Sequence, residues 1–332
     1  MESDRLQKDD IDKVDLTSVT NHVPGGTLND FLEYLKHNGQ PHAITAQGTQ
    51  LWYPDIRGEL IRLPIECVEA VNREVVRDLL RHHGTWVVSY LLAGDKNHQA
   101  NCFSYVCRNP NYKLEELGTN ARRDVRRGFR SFEIRLCTWD ELAEKGFAAE
   151  IDTDTRHGYT KPSSNDLKLM VQRQRKFPFF EIFGAWQGDN LTAWLQVIKI
   201  DDWALINMVR SCNASLRLCP NNALLYAATK RLLVDEKRKY LSYGLSGSRT
   251  NIDRLSMHKY KIRMGYEALP RHRVFVTHPV LRPLLASHFA SWLWEKAASA
   301  MPRFVFLLRI AGMSQQISGR DKAPLSWADD ES

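Results

Sequence analysis

No run in these 332 residues approaches the roughly 18 to 20 apolar residues that a membrane-spanning helix needs. The first residues are acidic and polar, with no apolar signal core, so a soluble, cytoplasmic protein is expected. Six cysteines (Cys67, Cys102, Cys107, Cys137, Cys212 and Cys219) form neither a CxxC pair nor a Cys/His ligand spacing. Most fall within apolar runs, as buried thiols in a reducing compartment do. Asp152, Asp154, Arg156 and His157 lie close together, but Asp-x-Asp-x-Arg-His has no metal-ligand spacing. A helix end with local ion pairs is expected there, and no metal. The interleaving of aromatic and basic residues typical of single-strand nucleic-acid binders is absent, and no internal repeat is visible.

What is present is an ordinary globular composition, 43% hydrophobic, with a net charge of +7 that suits anionic partners. Such a length builds one large or two ordinary domains. Residues 1–24 are polar and charged, and a disordered arm is expected. Thr27 caps a helix whose apolar face is Leu28, Phe31, Leu32 and Leu35, stopped at Gly39. Short strands around 43–45, 50–52 and 58–63, a helix over 68–80, and strands over 86–93 and 102–107 give an α/β order. Next come a strand at 132–136, helices over 139–149 and 166–174, and two alternating strands flanking the hairpin turn Gln187-Gly-Asp-Asn190. Leu205–Val209 completes a three-strand meander. Tyr266–Ala268 and Arg273–Val276 read as short strands, and 279–298 as an amphipathic helix with Trp292 and Trp294. Apolar residues beside Arg303 and Arg309 could touch a membrane surface, although packing onto the preceding domain is the commoner fate.

The stretch from Leu205 to Tyr266 organises the chain. A buried strand breaks at Arg210-Ser-Cys-Asn-Ala-Ser215, and Pro220-Asn-Asn222 opens a helix with Leu224, Leu225, Ala228, Leu232 and Leu233 on one face. Its first N–H groups favour phosphate or carboxylate. Leu241–Ser246 is the next strand, followed by a loop with Gly247, Ser248 and Thr250 and a basic helix over 254–264 closed by Gly265. Upstream, Arg122, Arg123, Arg126 and Arg127 share one broad helix face. That face is either solvated, partly neutralised by Glu115, Glu116 and Asp124, or a phosphate site, since guanidinium forks match phosphate oxygens.

These residues resemble the acyl-transfer domain of the GNAT superfamily in its FemAB-like branch. The likeness is carried by the strand–loop–Pro-Asn-Asn–helix run at 205–233, the strand ending Gly244-Leu-Ser246, Tyr260-Lys-Ile-Arg-Met-Gly265, and the arginine helix Leu117–Gly128. It spans about Lys113 to Leu269. The resemblance implies a GNAT fold of the α/β (α+β) class, with a degenerate GNAT-like domain over 25–112, the acyltransferase domain over 113–278, and a helical extension and tail over 279–332. It departs from the common pattern in two places. Arg217-Leu-Cys-Pro-Asn-Asn222 replaces the glycine-rich pyrophosphate loop, and Lys261 stands where a tyrosine often protonates the leaving thiolate.

By that resemblance an activated acyl group, on acetyl-CoA or another acyl-CoA, an acyl carrier protein or an aminoacyl-tRNA, passes to an amine of a sugar, amino acid or lipid-linked precursor. The donor would meet Arg210, Asn213, Arg217, Asn221 and Asn222. Arg122, Arg123, Arg126, Arg127, Asn207 and Ser248 would hold the substrate, with Lys261, Glu181 and Ser246 at the chemistry. Glu181 could equally pair with an arginine on a neighbouring strand. The competing class is a non-catalytic module of the same fold that binds nucleic acid or anionic membrane through its basic face.

Overall fold

The computed structural model describes residues 25–40, 42–44, 50–54, 58–82, 85–94, 99–158, 162–246, 254–301 and 304–319. The expected arm over 1–24, Ser248 with its loop, and the C-terminal tail lie outside them. In chain order the elements are α1 (Leu28–His37), β1 (Ala43–Ile44), β2 (Leu51–Pro54), β3 (Glu59–Leu63), α2 (Arg73–His82), β4 (Val87–Ala93), β5 (Cys102–Cys107), α3 (Thr119–Ser131) and β6 (Glu133–Leu136). Next come α4 (Trp139–Lys145), α5 (Phe147–Arg156), α6 (Ser164–Gln174), β7 (Phe180–Gln187), β8 (Asn190–Ile200), β9 (Trp203–Ser211) and α7 (Pro220–Lys230). The chain ends with β10 (Tyr240–Leu245), α8 (Arg254–Arg263), β11 (Glu267–Thr277), α9 (Arg282–Ala286), α10 (His288–Ala300) and α11 (Val305–Ile317).

The chain forms two compact units. The first gathers residues 1–26, 106–243 and 259–267. Its strands stand in the order β10-β9-β8-β7-β6. Antiparallel pairing joins β6 through β9, and β10 runs parallel to β9. Alternation along β8 sorts its two faces. Trp194 and Gln196 point to the side of α4–α6, where they bond Gly146 and Gln174. Lys199 points to the side of α7 and the turn after it, meeting Glu236. The core on the first side is Leu142, Ala149, Leu167, Val171, Ile182, Trp186, Leu191 and Trp194.

The second unit gathers 27–105, 244–258 and 268–332. Here β1, β2 and β3 are antiparallel, β4 runs parallel to β3, and β11 pairs antiparallel with β4. An antiparallel meander, a crossover helix and a parallel strand therefore occur twice, as β1-β2-β3-α2-β4 and as β7-β8-β9-α7-β10. Trp52, Leu60, Val76, Leu79 and Val88 pack beneath α2.

Several boundaries differ from the sequence expectation. Helix α2 begins at Arg73 rather than Val68, because the Asn72 side chain accepts from the Glu74 amide and sets the first turn there. The helix expected over 139–149 is two, divided at Gly146, where an added Cβ would lie 2.6 Å from Leu142 Cδ1. The two short strands after Gly265 are one, β11; Pro270 precedes its paired stretch from Arg271, so the missing N–H interrupts no ladder bond with β4. The helix over 279–298 divides at Ser287, whose hydroxyl accepts from Ala290 N and caps α10.

Candidate functional site

Strands β9 and β10 pair over Trp203–Leu205 and Tyr240–Ser242, and both run on past that point. On the other edge of β9 the register with β8 shifts, with Ile206 opposite Val197 and Met208 opposite Gln196. Asn207 is the extra residue of this bulge, exposed, with its amide donating to Gln196 Oε1 at 2.7 Å. The bulge thus sits just beyond the last β9–β10 pair, where the strands part.

Lys261 belongs to the same opening. It is only 6% exposed, and Nζ donates to the carbonyl of Tyr243, the residue after the last paired position of β10. The ammonium also lies 4.5 Å from the centre of the Tyr243 ring. Burial disfavours its charge and brings its pKa down from 10.5 to about 7. Around it, burial raises the phenols of Tyr243 and Tyr260, so neither ionises near neutrality.

Helix α8 carries Lys261 onto the first turn of α7. Tyr260 donates to the Asn221 carbonyl at 3.3 Å, and Asn222 Nδ2 meets Met264 Sδ at 3.5 Å. That turn starts from Cys219, whose φ of +62° replaces what a glycine loop would do. Pro220 has no N–H, so Asn221 and Asn222 present the first amides of the helix. The Asn221 side chain donates to Ser211 Oγ at 3.2 Å, while its buried Oδ1 has no hydrogen-bond partner among the described residues.

The arginine helix meets the same helix end. Gly128 lets α3 approach so closely that a Cβ there would stand 2.6 Å from both Ala223 Cβ and the Cys219 carbonyl. Burial raises the Cys219 thiol, Asp124 adds to this, and Arg127 and Arg123 oppose it, which puts both guanidiniums within electrostatic reach of the α7 N-terminus. Arg123 and Arg127 are exposed; Arg122 and Arg126 are half-buried on the neighbouring stripe. Arg123 pairs with Asp124 at 3.2 Å.

The remaining expected residues lie elsewhere. Glu181 is ion-paired, though not with an arginine of a neighbouring strand: Lys199 Nζ of β8 stands at 3.1 Å and Arg231, after α7, at 3.4 Å. Glu236 binds the same two cations and Arg238 besides. This places Glu181 on the α7 face, inside a buried ion network that sequence reasoning missed. Lys199 between Ile198 and Ile200 was the available signal, a cation in an apolar strand. Arg210 turns toward α5, with Glu150 at 3.7 Å and Asp154 at 3.6 Å. Burial raises the Glu150 carboxyl, against the pull of Arg210. Asn213 accepts from Arg156 and donates its amide to Asp152, so the acidic cluster of α5 anchors the end of β9. Arg217 is exposed. Ser246, in the second unit, clasps β5: its hydroxyl accepts from Phe103 N and its own N–H donates to Phe103 O. Among the described residues no group of three His, Cys, Asp or Glu is placed to hold a metal.

No protein-family model matches the chain, and no curated protein matches it in sequence. Solved structures do. The chain is similar to FemX, with a TM-score of 0.52 at 10% identity over 86% of this chain and 100% of that one. It is also similar to L-PGS from Bacillus licheniformis (0.47, 10%, 84% and 95%) and to a tandem GNAT protein from the clavulanic acid biosynthesis pathway (0.42, 11%, 75% and 93%). The FemX likeness defines the fold. At 10% identity it shows the fold alone, a mixed α/β one.

Proposed function

We propose that the chain is an N-acyltransferase of two GNAT-like units and that the unit holding β6–β10 carries the chemistry. The repeated meander–helix–strand order supports the tandem. The observation that carries the function is the buried Lys261 at the point where β9 and β10 part, on a helix that also packs against the α7 N-terminus.

In this reading the donor's anionic part meets the Asn221 and Asn222 amides with Arg123 and Arg127, and Arg122 and Arg126 extend the basic face. Guanidiniums and a helix N-terminus both suit phosphate, which acetyl-CoA, an acyl carrier protein and an aminoacyl-tRNA all present. The unpartnered Asn221 Oδ1 fits a donor N–H or O–H group. The acyl carbonyl enters the opening, where backbone N–H groups at the Asn207 bulge face the developing oxyanion; one such donor contributes roughly 3 kcal/mol. An amine of a sugar, amino acid or lipid-linked precursor forms the new C–N bond as the C–S or C–O bond to the donor breaks. With a pKa of about 7, Lys261 exchanges a proton at neutral pH, taking it from the amine and returning it to the leaving group. Glu181 supports this indirectly by holding β7 and β8 to the turn after α7, and Ser246 by holding β5.

The test is release of free thiol from acetyl-CoA in the presence of a panel of amino sugars and amino acids, with aminoacyl-tRNA as the second donor. Turnover with one pair, lost in Lys261→Met, is expected. Full turnover in that variant removes Lys261 from the mechanism.

A further inference from the structure

Ten large apolar side chains stand exposed among the described residues, and seven of them fall between positions 280 and 304. They are Val280, Leu284, Phe289, Trp292, Leu293, Met301 and Phe304. On α10 the spacing divides the helix cleanly. Ser291, Trp294 and Ala298 face inward, and Trp294 and Ala298 pack with Leu308 of α11. Phe289, Trp292, Leu293 and Lys296 recur at three and four residues on the opposite face. Phe289 is 68% exposed, and its ring stacks on Trp292 at 6.0 Å. A concentration of this kind marks an interaction surface rather than scattered surface residues.

The charges around it select the occupant. Among the described residues from 279 to 319, Arg282, Lys296 and Arg309 stand against one acid, Glu295. A second copy docking by the same face would bring these cations against themselves, which disfavours a self-complementary dimer. An anionic bilayer instead offers phosphates to the cations and an acyl boundary to the rings, and it needs no matching shape. No helix among the described residues is long and apolar enough to cross a membrane, so contact is confined to the interface. We propose that the α9–α11 face docks on an anionic phospholipid surface, with Phe289, Trp292 and Leu293 entering the headgroup region and Arg282 and Lys296 meeting lipid phosphates. The inference stands apart from the acyl-transfer reading, since it uses none of the same residues.

Flotation of the full chain with vesicles tests it. Vesicles of phosphatidylcholine with about one-third phosphatidylglycerol should carry the protein upward at low salt, and phosphatidylcholine alone should not. Phe289→Ser with Trp292→Ser should abolish flotation without moving the thermal midpoint, because both rings are exposed; if the pair unfolds, Phe289→Ser alone is read. Arg282→Gln with Lys296→Gln should lower partitioning roughly thirtyfold. Absence of flotation with the anionic vesicles overturns the proposal, as does flotation that the ring variants leave unchanged. A dimer in light scattering that the ring variants dissolve, with no vesicle binding, assigns the face to a second copy and overturns it as well.

Discussion

Replacing Lys261 by Met removes an amine and keeps nearly the same length of apolar stem. The unfolded chain holds the lysine proton up to about pH 10.5, while the folded chain releases it near 7. Between those values the unfolded state binds more protons, so raising the pH stabilises the fold through this group. Below about pH 7 both states are protonated and the cost of burying the charge is fully present. The raised thiols act the other way: Cys102 is pushed up to about 12 and Cys107 to about 11, so both oppose folding as the unfolded thiols ionise at alkaline pH. Subtracting the variant from the parent cancels them. One pKa unit corresponds to about 1.4 kcal/mol, so the parent should gain roughly 2 kcal/mol on Lys261→Met between pH 7 and 9. The lost bond to the Tyr243 carbonyl adds a constant offset that does not change this slope. Urea unfolding of both proteins at half-unit pH steps measures it. Parallel stability curves would refute a neutralised, buried Lys261, and with it the proton exchange assigned to this residue.

Glu181→Ala leaves Lys199 and Arg231 short of one carboxylate in a buried network, and should cost about 3 to 5 kcal/mol in denaturant unfolding. Glu181→Gln should recover part of this; an equal loss would mean that packing rather than charge holds the site. Gly128→Ala puts a methyl 2.6 Å from Ala223 Cβ and the Cys219 carbonyl, and should lower stability by about 1 to 3 kcal/mol while pushing α3 off the α7 N-terminus. An unchanged thermal midpoint would show that the two helices pack more loosely.

The meander β7–β8–β9 was legible because period-2 alternation flanks a strong turn, and α7 because Pro220 precedes an apolar helical face. Boundaries set by single contacts were not. Gly146 divides α4 from α5 through its approach to Leu142, and Ser287 reads as helix interior until its hydroxyl is seen capping α10. Within the site, Lys261, Asn221, Asn222 and the α3 arginines came from local motifs, and the fold brings them to adjoining elements. The role of Arg210 could not be read that way, since its partners Glu150 and Asp154 lie on the part of α5 beyond the helix expected over 139–149. Glu181 depends on cations of β8 and of the turn after α7, a conjunction only tertiary packing creates.

The most direct test of the account is binding of acetyl-CoA by thermal unfolding, in the parent and in Arg123→Ala with Arg127→Ala. At a hundred times the dissociation constant a bound donor stabilises the fold by about 2.7 kcal/mol. Both arginines are exposed, so the variant should unfold within about 0.5 kcal/mol of the parent without ligand. The account predicts a raised midpoint in the parent that the variant loses. A parent that responds to neither acetyl-CoA nor aminoacyl-tRNA, or a variant that responds as the parent does, would contradict a donor site at the α7 N-terminus.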